Sequence, residues 1–134
     1  MSDQPPASLI VVKEGVAIDA KQEIPYFVGI SANTVGAQGI SMQRIVIPPG
    51  VAAKAHVHLD YETAIYIVQG QVETHYGPGL REIITNVPGD FVYIPAGVPH
   101  QPRNISQTET AIAIVARNDA QEQERVIPYD PASE

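Results

Sequence analysis

The segment HVHLDYE, which runs from His56 to Glu62, places two imidazoles and a carboxylate within seven residues. On an extended strand every second side chain points to the same side, so His56 and His58 could converge on one point. A third imidazole, His100, ends the segment PGDFVYIPAGVPH, in which a strand and a Pro-Gly turn could return it to the first two. Imidazole and carboxylate ligands suit divalent iron, manganese, zinc, nickel or copper and leave coordination positions open. A His-x-His pair alone is a weak signal, so the metal hypothesis depends on its context.

The composition limits the possible classes of protein. The 134 residues, 44% of them hydrophobic, are enough for one globular domain with a core. A formal charge of -7 argues against a nucleic acid or an anionic membrane as a partner. The absence of cysteine excludes disulfides and thiolate ligands. No apolar run approaches the ~18 residues of a membrane span, and the first residues lack the features of a signal peptide, so we expect a cytoplasmic protein.

Short apolar runs separated by glycine and proline dominate the chain. The runs are rich in Ile, Val, Thr and Tyr, and turn residues recur between them, which predicts an all-β protein with almost no helix. Several of the runs are apolar on both alternations, so one face should be covered by the core and the other by a second sheet layer or another subunit, which favours a homodimer. The runs cover residues 24–30, 40–47, 63–69, 71–76, 81–87, 90–94 and 110–116.

Two blocks around the histidines resemble the signature motifs of the cupin superfamily, G-x5-H-x-H-x3,4-E-x6-G and G-x5-P-x-G-x2-H-x3-N. The first block extends from Gly50 to Gly70, and the second extends from Gly89 to Asn104. The second block agrees with its motif at every specified position. The first agrees in all but one spacing, because seven residues and not six separate Glu62 from Gly70. Eighteen residues separate the two blocks, a spacing that fits the small microbial cupins.

The resemblance implies both a fold and a metal site. The fold is a double-stranded β-helix, or jelly-roll barrel, over residues 9–117, with a flexible N-terminus at residues 1–8 and a C-terminal tail or arm at residues 118–134. The cofactor is one divalent transition metal per chain, with iron or manganese favoured and zinc or nickel as alternatives. The implied metal ligands are His56, His58, Glu62 and His100.

The extra residue in the first block raises a question of strand register. On a regular strand it would turn Glu62 away from the site, and Thr63 would occupy the ligand position if residues were counted back from Gly70. A hydroxyl is a poor ligand for a divalent ion compared with a carboxylate. We therefore expect a β-bulge near Ala64 that turns Glu62 inward and completes a four-ligand site, in preference to a three-histidine site that Glu62 only supports.

The residues that would contact a substrate are less well defined by the sequence. Arg44 could hold an anionic substrate and Tyr66 could line the pocket, although a strand arginine is more often exposed and a strand tyrosine more often packs in a core or an interface. His75 has no ligand-type neighbour at a suitable spacing. Asn104 is more typical of a residue that holds a loop through its backbone.

These features lead to a functional expectation. We expect a metal-dependent enzyme that acts on a small organic molecule, with dioxygenase chemistry first, since open metal positions in an apolar barrel let a substrate and dioxygen bind together. A second hypothesis is an isomerase, cyclase or lyase in which the metal polarises a carbonyl. A third is a sugar-binding module without catalysis, against which stands the absence of a helix-turn-helix pattern or a basic segment.

Overall fold

The computed structural model describes residues 8–19, 24–121 and 126–133, which contain eleven strands and little helix. The predicted flexible N-terminus, residues 1–8, falls outside them apart from Ser8. No helix in the described ranges has the length and apolar character of a membrane span. The helical elements are α1 (Ala32–Val35) and two 3-10 turns (Pro78–Leu80 and Pro131–Ser133). The strands are β1 (Val16–Asp19), β2 (Pro25–Ile30), β3 (Ser41–Ile47), β4 (His56–Val57), β5 (Thr63–Gln69), β6 (Val72–Tyr76), β7 (Glu82–Asn86), β8 (Phe91–Ile94), β9 (His100–Arg103), β10 (Ala111–Arg117) and β11 (Ile127–Pro128).

The strands form two antiparallel sheets. The six-stranded sheet has the order β1-β2-β3-β10-β5-β8, and the five-stranded sheet has the order β11-β4-β9-β6-β7. Strands that are neighbours in a sheet are often far apart in sequence, since β10 lies between β3 and β5. A chain that crosses repeatedly between two antiparallel sheets in this way forms a jelly roll. The predicted all-β jelly-roll class is therefore confirmed.

Strict alternation places every second side chain of β3 and β10 between the two sheets. At the end of the sheet where β3 begins and β10 ends, the buried side chains are polar, namely Ser41, Gln43 and Arg117. The barrel thus has an apolar interior and one polar end. The apolar core comprises Ile24, Tyr26, Ile45, Ile47, Ala53, Ile67, Val72, Ala111, Ala113 and Val115.

Each of the seven apolar runs in the sequence matches one strand of the structure to within one residue at each end. For β5 the run and the strand coincide, at residues 63–69. The strands that carry His56 and His100, β4 and β9, lie outside the runs because they have only two and four residues and are largely polar. Their positions are set by pairing with neighbouring strands and not by a local apolar pattern.

The described part of the predicted C-terminal tail lies against the barrel. β11 pairs with β4, and Pro128 is opposite His56. The Tyr129 N–H donates to the carbonyl of Ala55 (3.1 Å), and the Tyr129 hydroxyl accepts from the N–H of Gly79 (2.7 Å). This segment therefore extends the five-stranded sheet beside a histidine-bearing strand.

The outer surface of the six-stranded sheet is rich in apolar side chains. Phe91 is 85% exposed, and its ring stacks on that of Tyr66 with the centroids 4.8 Å apart. We refer to the exposed residues Met42, Tyr66, Val68, Phe91 and Tyr93 as the outer apolar face.

Candidate metal centre

Three histidines meet at the polar end of the barrel. His56 on β4 lies directly opposite His100 on β9, and His58 follows two residues after His56. The ring centroids are 4.3 Å apart for His56 and His100, 4.9 Å for His56 and His58, and 5.2 Å for His58 and His100. One potential ligand atom of each lies within 4.8 Å of the others, and all three residues are buried. The structure thus brings together three of the four predicted ligands.

Backbone hydrogen bonds fix the orientation of two of the rings. The Nδ1 atom of His56 lies 2.7 Å from the carbonyl oxygen of Lys54, and that of His100 lies 2.9 Å from the carbonyl oxygen of Val98. A carbonyl oxygen can only accept, so Nδ1 carries the proton in each neutral ring and Nε2 keeps its lone pair. Histidines that bind metals are commonly oriented by such bonds.

His58 is held by two different contacts. Its Nδ1 atom lies 2.7 Å from the hydroxyl of Tyr61, a buried side chain. Its carbonyl accepts from the N–H of Gly97 (2.7 Å), in the loop that leads to His100. Gly97 has φ +84°, which side chains other than glycine rarely adopt. The second block therefore positions His100 and also supports His58.

Burial lowers the pKa of two of the histidines. The pKa of His56 falls to about 3, mainly through burial, with further contributions from the charges of His100 and Arg117. The pKa of His100 falls to about 4, again mainly through burial, and Arg117 also lowers it. Both imidazoles are therefore neutral near pH 7, which is the form that binds a metal.

Glu62 does not join the histidines. Its side chain is exposed, with Oε1 accepting from the Tyr93 hydroxyl (2.5 Å) and Oε2 accepting from the side-chain amide of Asn118 (3.4 Å). The Glu62 N–H also donates to Oδ1 of Asn118 (2.8 Å). The bond to the carboxylate raises the pKa of Tyr93. The expectation that Glu62 turns inward is therefore wrong, because Tyr93 and Asn118 hold its carboxylate on the outside of the barrel.

The register of β5 explains why Glu62 faces outward. The strand pairs with β10 without interruption from Thr63 to Ile67, and the extra residue, Val68, forms a bulge before Gln69. The predicted bulge near Ala64 is therefore wrong in position. A bulge beyond Ile67 restores the register toward Gly70 but leaves the start of the strand unchanged, so the residue after Glu62 points inward.

Thr63 occupies this inward position. It is 3% exposed, and its Oγ1 atom is buried without a hydrogen bond to any described residue. It lies opposite Arg117 of β10 and lines the same cavity as His56 and His100. The motif allows three or four residues between its second histidine and its glutamate. With four residues, Thr63 takes the position of the glutamate. The group therefore consists of three imidazoles and a nearby hydroxyl.

An internal cavity of about 50 Å³ reaches the histidines. Its walls are mostly isoleucine, valine and alanine side chains from both sheets. None of the described residues that line it is acidic. The polar residues of its lining are Tyr26, His56, Thr63, Thr74, Asn86, His100 and Arg117.

Arg117 is a residue of the site that the sequence analysis missed. It is 7% exposed, and its Nη2 donates to the Tyr26 hydroxyl (2.8 Å). With the Gln43 amide in the orientation that satisfies its hydrogen bonds, Nη1 donates to its oxygen (3.0 Å) and its nitrogen donates to the Val115 carbonyl (2.9 Å). Burial lowers the pKa of Arg117 to about 10, so the side chain stays charged at neutral pH. The sequence offers no clear signal for it, because the residues of β10 before Arg117 are apolar on both alternations.

The two sequence candidates for the pocket wall lie outside the cavity. Arg44 stacks over the ring of Phe27, 4.6 Å from its centroid, because the alternation of β3 turns Gln43 inward and its neighbour outward. Tyr66 is 39% exposed and stacks on Phe91. Neither residue lines the cavity, so the expectation that they contact a substrate there is wrong.

His75 and Asn104 have local roles. The Nε2 atom of His75 lies 2.6 Å from Oε1 of Glu73, away from the three histidines. The side-chain amide of Asn104 donates to the carbonyls of Ile47 (2.9 Å) and Glu109 (2.8 Å). Asn104 therefore holds the loop after β9, as the sequence indicates.

The residues present fit a divalent metal. Three imidazoles, two of them neutral with Nε2 as the lone-pair nitrogen, form a donor set that iron, manganese, zinc or nickel can use. The buried Oγ1 of Thr63 and the cavity lie beside them. The three histidines are thus a candidate metal site, with room on one side for a substrate.

Comparisons with known proteins define the class. Residues 43–116, more than half of the chain, match the family model described as Cupin domain. The chain therefore belongs to the cupin family. No curated protein matches the sequence.

Solved proteins with this fold are named for different activities. A protein from Acidithiobacillus ferrooxidans, provisionally named a sugar phosphate isomerase, is 26% identical with a TM-score of 0.57, over 69% of this chain and 58% of its own. A mutant of the Bacillus subtilis oxalate decarboxylase OxdC is 15% identical with a TM-score of 0.75, over 94% and 34%. The polyketide cyclase RemF from Streptomyces resistomycificus is 21% identical with a TM-score of 0.65, over 90% and 80%. This chain spans less than two thirds of the first two proteins, and the last two likenesses concern the fold alone.

Proposed function

We propose that this cupin is a metal-dependent enzyme that oxidises a small organic molecule with dioxygen inside the barrel. The observation that carries the proposal is the group of three imidazoles, two of which, His56 and His100, line a cavity whose other walls are mostly apolar. Bound iron or manganese would supply redox and Lewis-acid chemistry at the coordination positions that three histidines leave open.

The side chains around the cavity favour oxidation over proton transfer. Enzymes that move protons on a substrate use an acid or a base within reach of it. No Asp, Glu or Lys occurs among the described residues of the lining. The apolar walls exclude water, while Thr63 and Arg117 provide polar contacts beside the histidines. The cavity can therefore hold and orient a small molecule but offers little acid-base chemistry of its own.

Dioxygen uptake tests this proposal directly. Protein loaded with Fe(II) or Mn(II) is mixed with small enols, diketones and phenols, and oxygen consumption is followed with an electrode. We expect consumption that depends on the metal and is lost in the His56→Ala variant. Fully loaded protein that consumes no oxygen with any of these compounds contradicts the proposal.

A second candidate is an isomerase or cyclase in which the metal is only a Lewis acid. It is favoured by the 26% identity to the protein provisionally named a sugar phosphate isomerase. The Tyr26 hydroxyl, which lines the cavity, would then be the available proton carrier. Turnover that proceeds equally fast without oxygen supports this candidate over the first.

We also propose that two copies of the chain associate through the outer apolar face. A soluble protein rarely leaves several large apolar side chains exposed on one sheet without a use for them. A two-fold contact between identical faces is self-complementary, so stacked aromatic pairs such as Tyr66 and Phe91 would meet their own copies. A second copy of this chain is therefore the partner that this face fits.

A further inference from the structure

The barrel is open along one side. β7 ends the five-stranded sheet and β8 ends the six-stranded sheet, and each pairs with only one of the described strands. Ile84 of β7 lies opposite Thr74, which lines the inner cavity, so both side chains are on the inner side of the sheet. Thr74 is 8% exposed, but Ile84 is 47% exposed. The two sheets therefore do not close over β7, and an inward-facing apolar side chain stays in contact with solvent.

A groove of about 400 Å³ lies at this opening, between β7 and β8. It adjoins the inner cavity, because several residues line both spaces. The shared residues are Thr74, Asn86, Val92, Ile94 and His100. The groove therefore leads from the solvent to one of the three histidines.

The two spaces differ in the size of molecule that they can hold. The inner cavity of about 50 Å³ has room for about three to five water molecules, at about 10–15 Å³ each. The volume of the groove lies within the range of about 300–1,000 Å³ that is typical of sites for small organic ligands. A substrate of the proposed enzyme would therefore place its reacting group beside His100 and most of its atoms in the groove.

The walls of the groove are uncharged. None of its described lining residues is Asp, Glu, Lys or Arg. Ile84, Val92 and Val98 supply apolar surface, and Tyr76 is one of the few polar residues. A charged group would lose its hydration on these walls and gain no partner of opposite charge among the described residues. The groove therefore favours an uncharged, largely apolar occupant.

The position of the groove between two sheets also limits the shape of the occupant. Packed sheets lie about 10 Å apart, and side chains fill most of that distance, so the space that remains near an open edge is a slot. Ile84 of one sheet and Val92 of the other lie on its two sides. A flat ring system fits such a slot better than a globular molecule of the same size.

We infer that the substrate of the proposed enzyme is an uncharged phenol or enol with a flat, fused-ring body, whose rings lie in the groove between β7 and β8 and whose oxygen-bearing end reaches His100. This assignment rests on the proposed function, because it takes the histidine group as the reacting end. Burial of the apolar ring surface against Ile84, Val92 and Val98 would supply most of the binding free energy. The groove would thus select substrates by the size and flatness of the part that does not react.

Binding of three uncharged hydroxyl compounds tests the inference without catalysis. Phenol and 2-naphthol carry the same hydroxyl, but only 2-naphthol has a second ring for the groove. 1-Adamantanol has the same number of non-hydrogen atoms as 2-naphthol but is globular. Each is titrated by calorimetry into anaerobic, Zn(II)-loaded protein at pH 7. We expect 2-naphthol to bind about 10-fold more tightly than phenol, because its second ring is buried, and also more tightly than 1-adamantanol.

Two neighbouring variants of β7 locate the bound ring. Ile84→Glu places a charge on the wall of the groove, so the affinity for 2-naphthol should fall about 10-fold, to that for phenol, while the affinity for phenol changes by less than about threefold. Ile83→Glu is the matched control, because Ile83 lies opposite His75 on the outer side of the same strand, and it should keep the parent affinities. Both variants should bind Zn(II) as the parent does, since neither residue belongs to the histidine group. A loss confined to Ile84→Glu shows that 2-naphthol binds in the groove and not adventitiously on the outer apolar face.

The results distinguish this inference from the proposed function. Equal binding of phenol and 2-naphthol by the parent, tighter binding of 1-adamantanol than of 2-naphthol, or equal affinities for 2-naphthol in folded Ile83→Glu and Ile84→Glu variants overturns the assignment. If Ile84→Glu does not fold by circular dichroism, the comparison of 2-naphthol with 1-adamantanol in the parent decides the matter alone. A preference for 2-naphthol without oxygen uptake leaves the groove as a binding site and removes the dioxygenase. Oxygen uptake with small enols and no preference for 2-naphthol does the reverse.

Discussion

Along the first five residues of β5, the inward residues Thr63, Ile65 and Ile67 face the cavity, and the outward residues Ala64 and Tyr66 face solvent. At the polar end of the barrel, the interior holds an arginine, a threonine and three histidines. The outer surface of the six-stranded sheet, which contains β5, exposes aromatic and aliphatic side chains. Soluble proteins usually have the reverse arrangement. The difference motivates both proposals, that the interior end holds a bound molecule and that the outer face contacts a second copy of the chain.

Substitution of an inner histidine should give the largest effect. His56→Ala removes one of three converging donors, so we expect the affinity for Zn(II) to fall by more than about 100-fold, beyond the ~10–100-fold that loss of a supporting partner causes. Competition with a chromogenic chelator measures it. His75→Ala is the control, because His75 pairs with Glu73 away from the group. Equal affinities for the parent and the His56 variant would show that the inner group is not the metal site.

The inner histidines should also make the metal-free protein sensitive to acid. The folded pKa values of about 3 for His56 and about 4 for His100 lie below the unfolded value of 6.5, so the unfolded state binds more protons as the pH falls below 6.5. The free energy of unfolding should therefore decrease from pH 6.5 toward pH 5, with a slope that approaches about 1.4 kcal/mol per pH unit for each histidine. Urea unfolding of chelator-treated protein measures this slope. A double variant, His56→Ala with His100→Ala, should show a flatter curve, and an equally steep one would exclude these residues as the cause.

Charge on the outer apolar face should change association and leave the inner site intact. Phe91→Glu places a charge beside the Tyr66 ring in the proposed contact, so we expect the dimer dissociation constant to rise by about 30-fold or more, as for an aromatic hot-spot residue of an interface. Analytical ultracentrifugation measures it. Ile83→Glu is the control, because Ile83 is exposed on the other sheet. A parent chain that is monomeric at all concentrations removes the proposed dimer.

A smaller effect should follow from removal of the inner hydroxyl. Thr63→Val keeps the shape of the side chain and eliminates a buried oxygen without a hydrogen-bond partner among the described residues, so the metal-free protein should gain about 1 kcal/mol of stability. Thr74→Val is the matched control in the same cavity, because the Thr74 hydroxyl donates to Asn86 (3.2 Å) and its loss should cost about 1 kcal/mol. Chemical denaturation compares the two. A destabilised Thr63→Val variant would mean that this hydroxyl has a partner.

The smallest effect should come from the outer carboxylate. Glu62 lies outside the cavity with Tyr93 and Asn118 as partners, so Glu62→Gln should change the affinity for Zn(II) by less than about twofold. The chelator competition used for His56→Ala applies here as well. If the affinity for Zn(II) fell as much as in His56→Ala, Glu62 would be a metal ligand. The comparison between the inner and outer faces would then be reversed.

The sequence predicts the fold well because its main signals are local. Glycine and proline mark the turns, and each apolar run matches a strand to within one residue at each end. The three histidines are also predictable, since the two-residue period and the turn before His100 bring them together without knowledge of the whole barrel. For a strand that is apolar on both sides, the sequence does not predict which side faces the barrel interior. In β3, Met42 and Val46 alternate with Ile45 and Ile47, so the local pattern does not tell which way Arg44 points.

The position of the β5 bulge shows the same limit. One extra residue can be accommodated anywhere between Glu62 and Gly70, and the local sequence does not choose among these places. In the structure, the pairing with β10 and the bonds from Tyr93 and Asn118 to Glu62 are satisfied together when the bulge falls at Val68. These partners are 31 and 56 residues away in the chain. Tertiary contacts thus decide whether a carboxylate or a threonine faces the histidines.

The pairing of β11 with β4 has a consequence for how the protein behaves at high concentration. β4 has only two residues, and without β11 its outer side would present unpaired backbone groups at the edge of the five-stranded sheet. Open edges of this kind recruit strands from other molecules and promote aggregation. Because β11 is itself only two residues long and includes Pro128, which has no N–H, the edge that it leaves is short and a poor template for further pairing. The last part of the chain therefore protects the strand that carries His56 from intermolecular sheet formation.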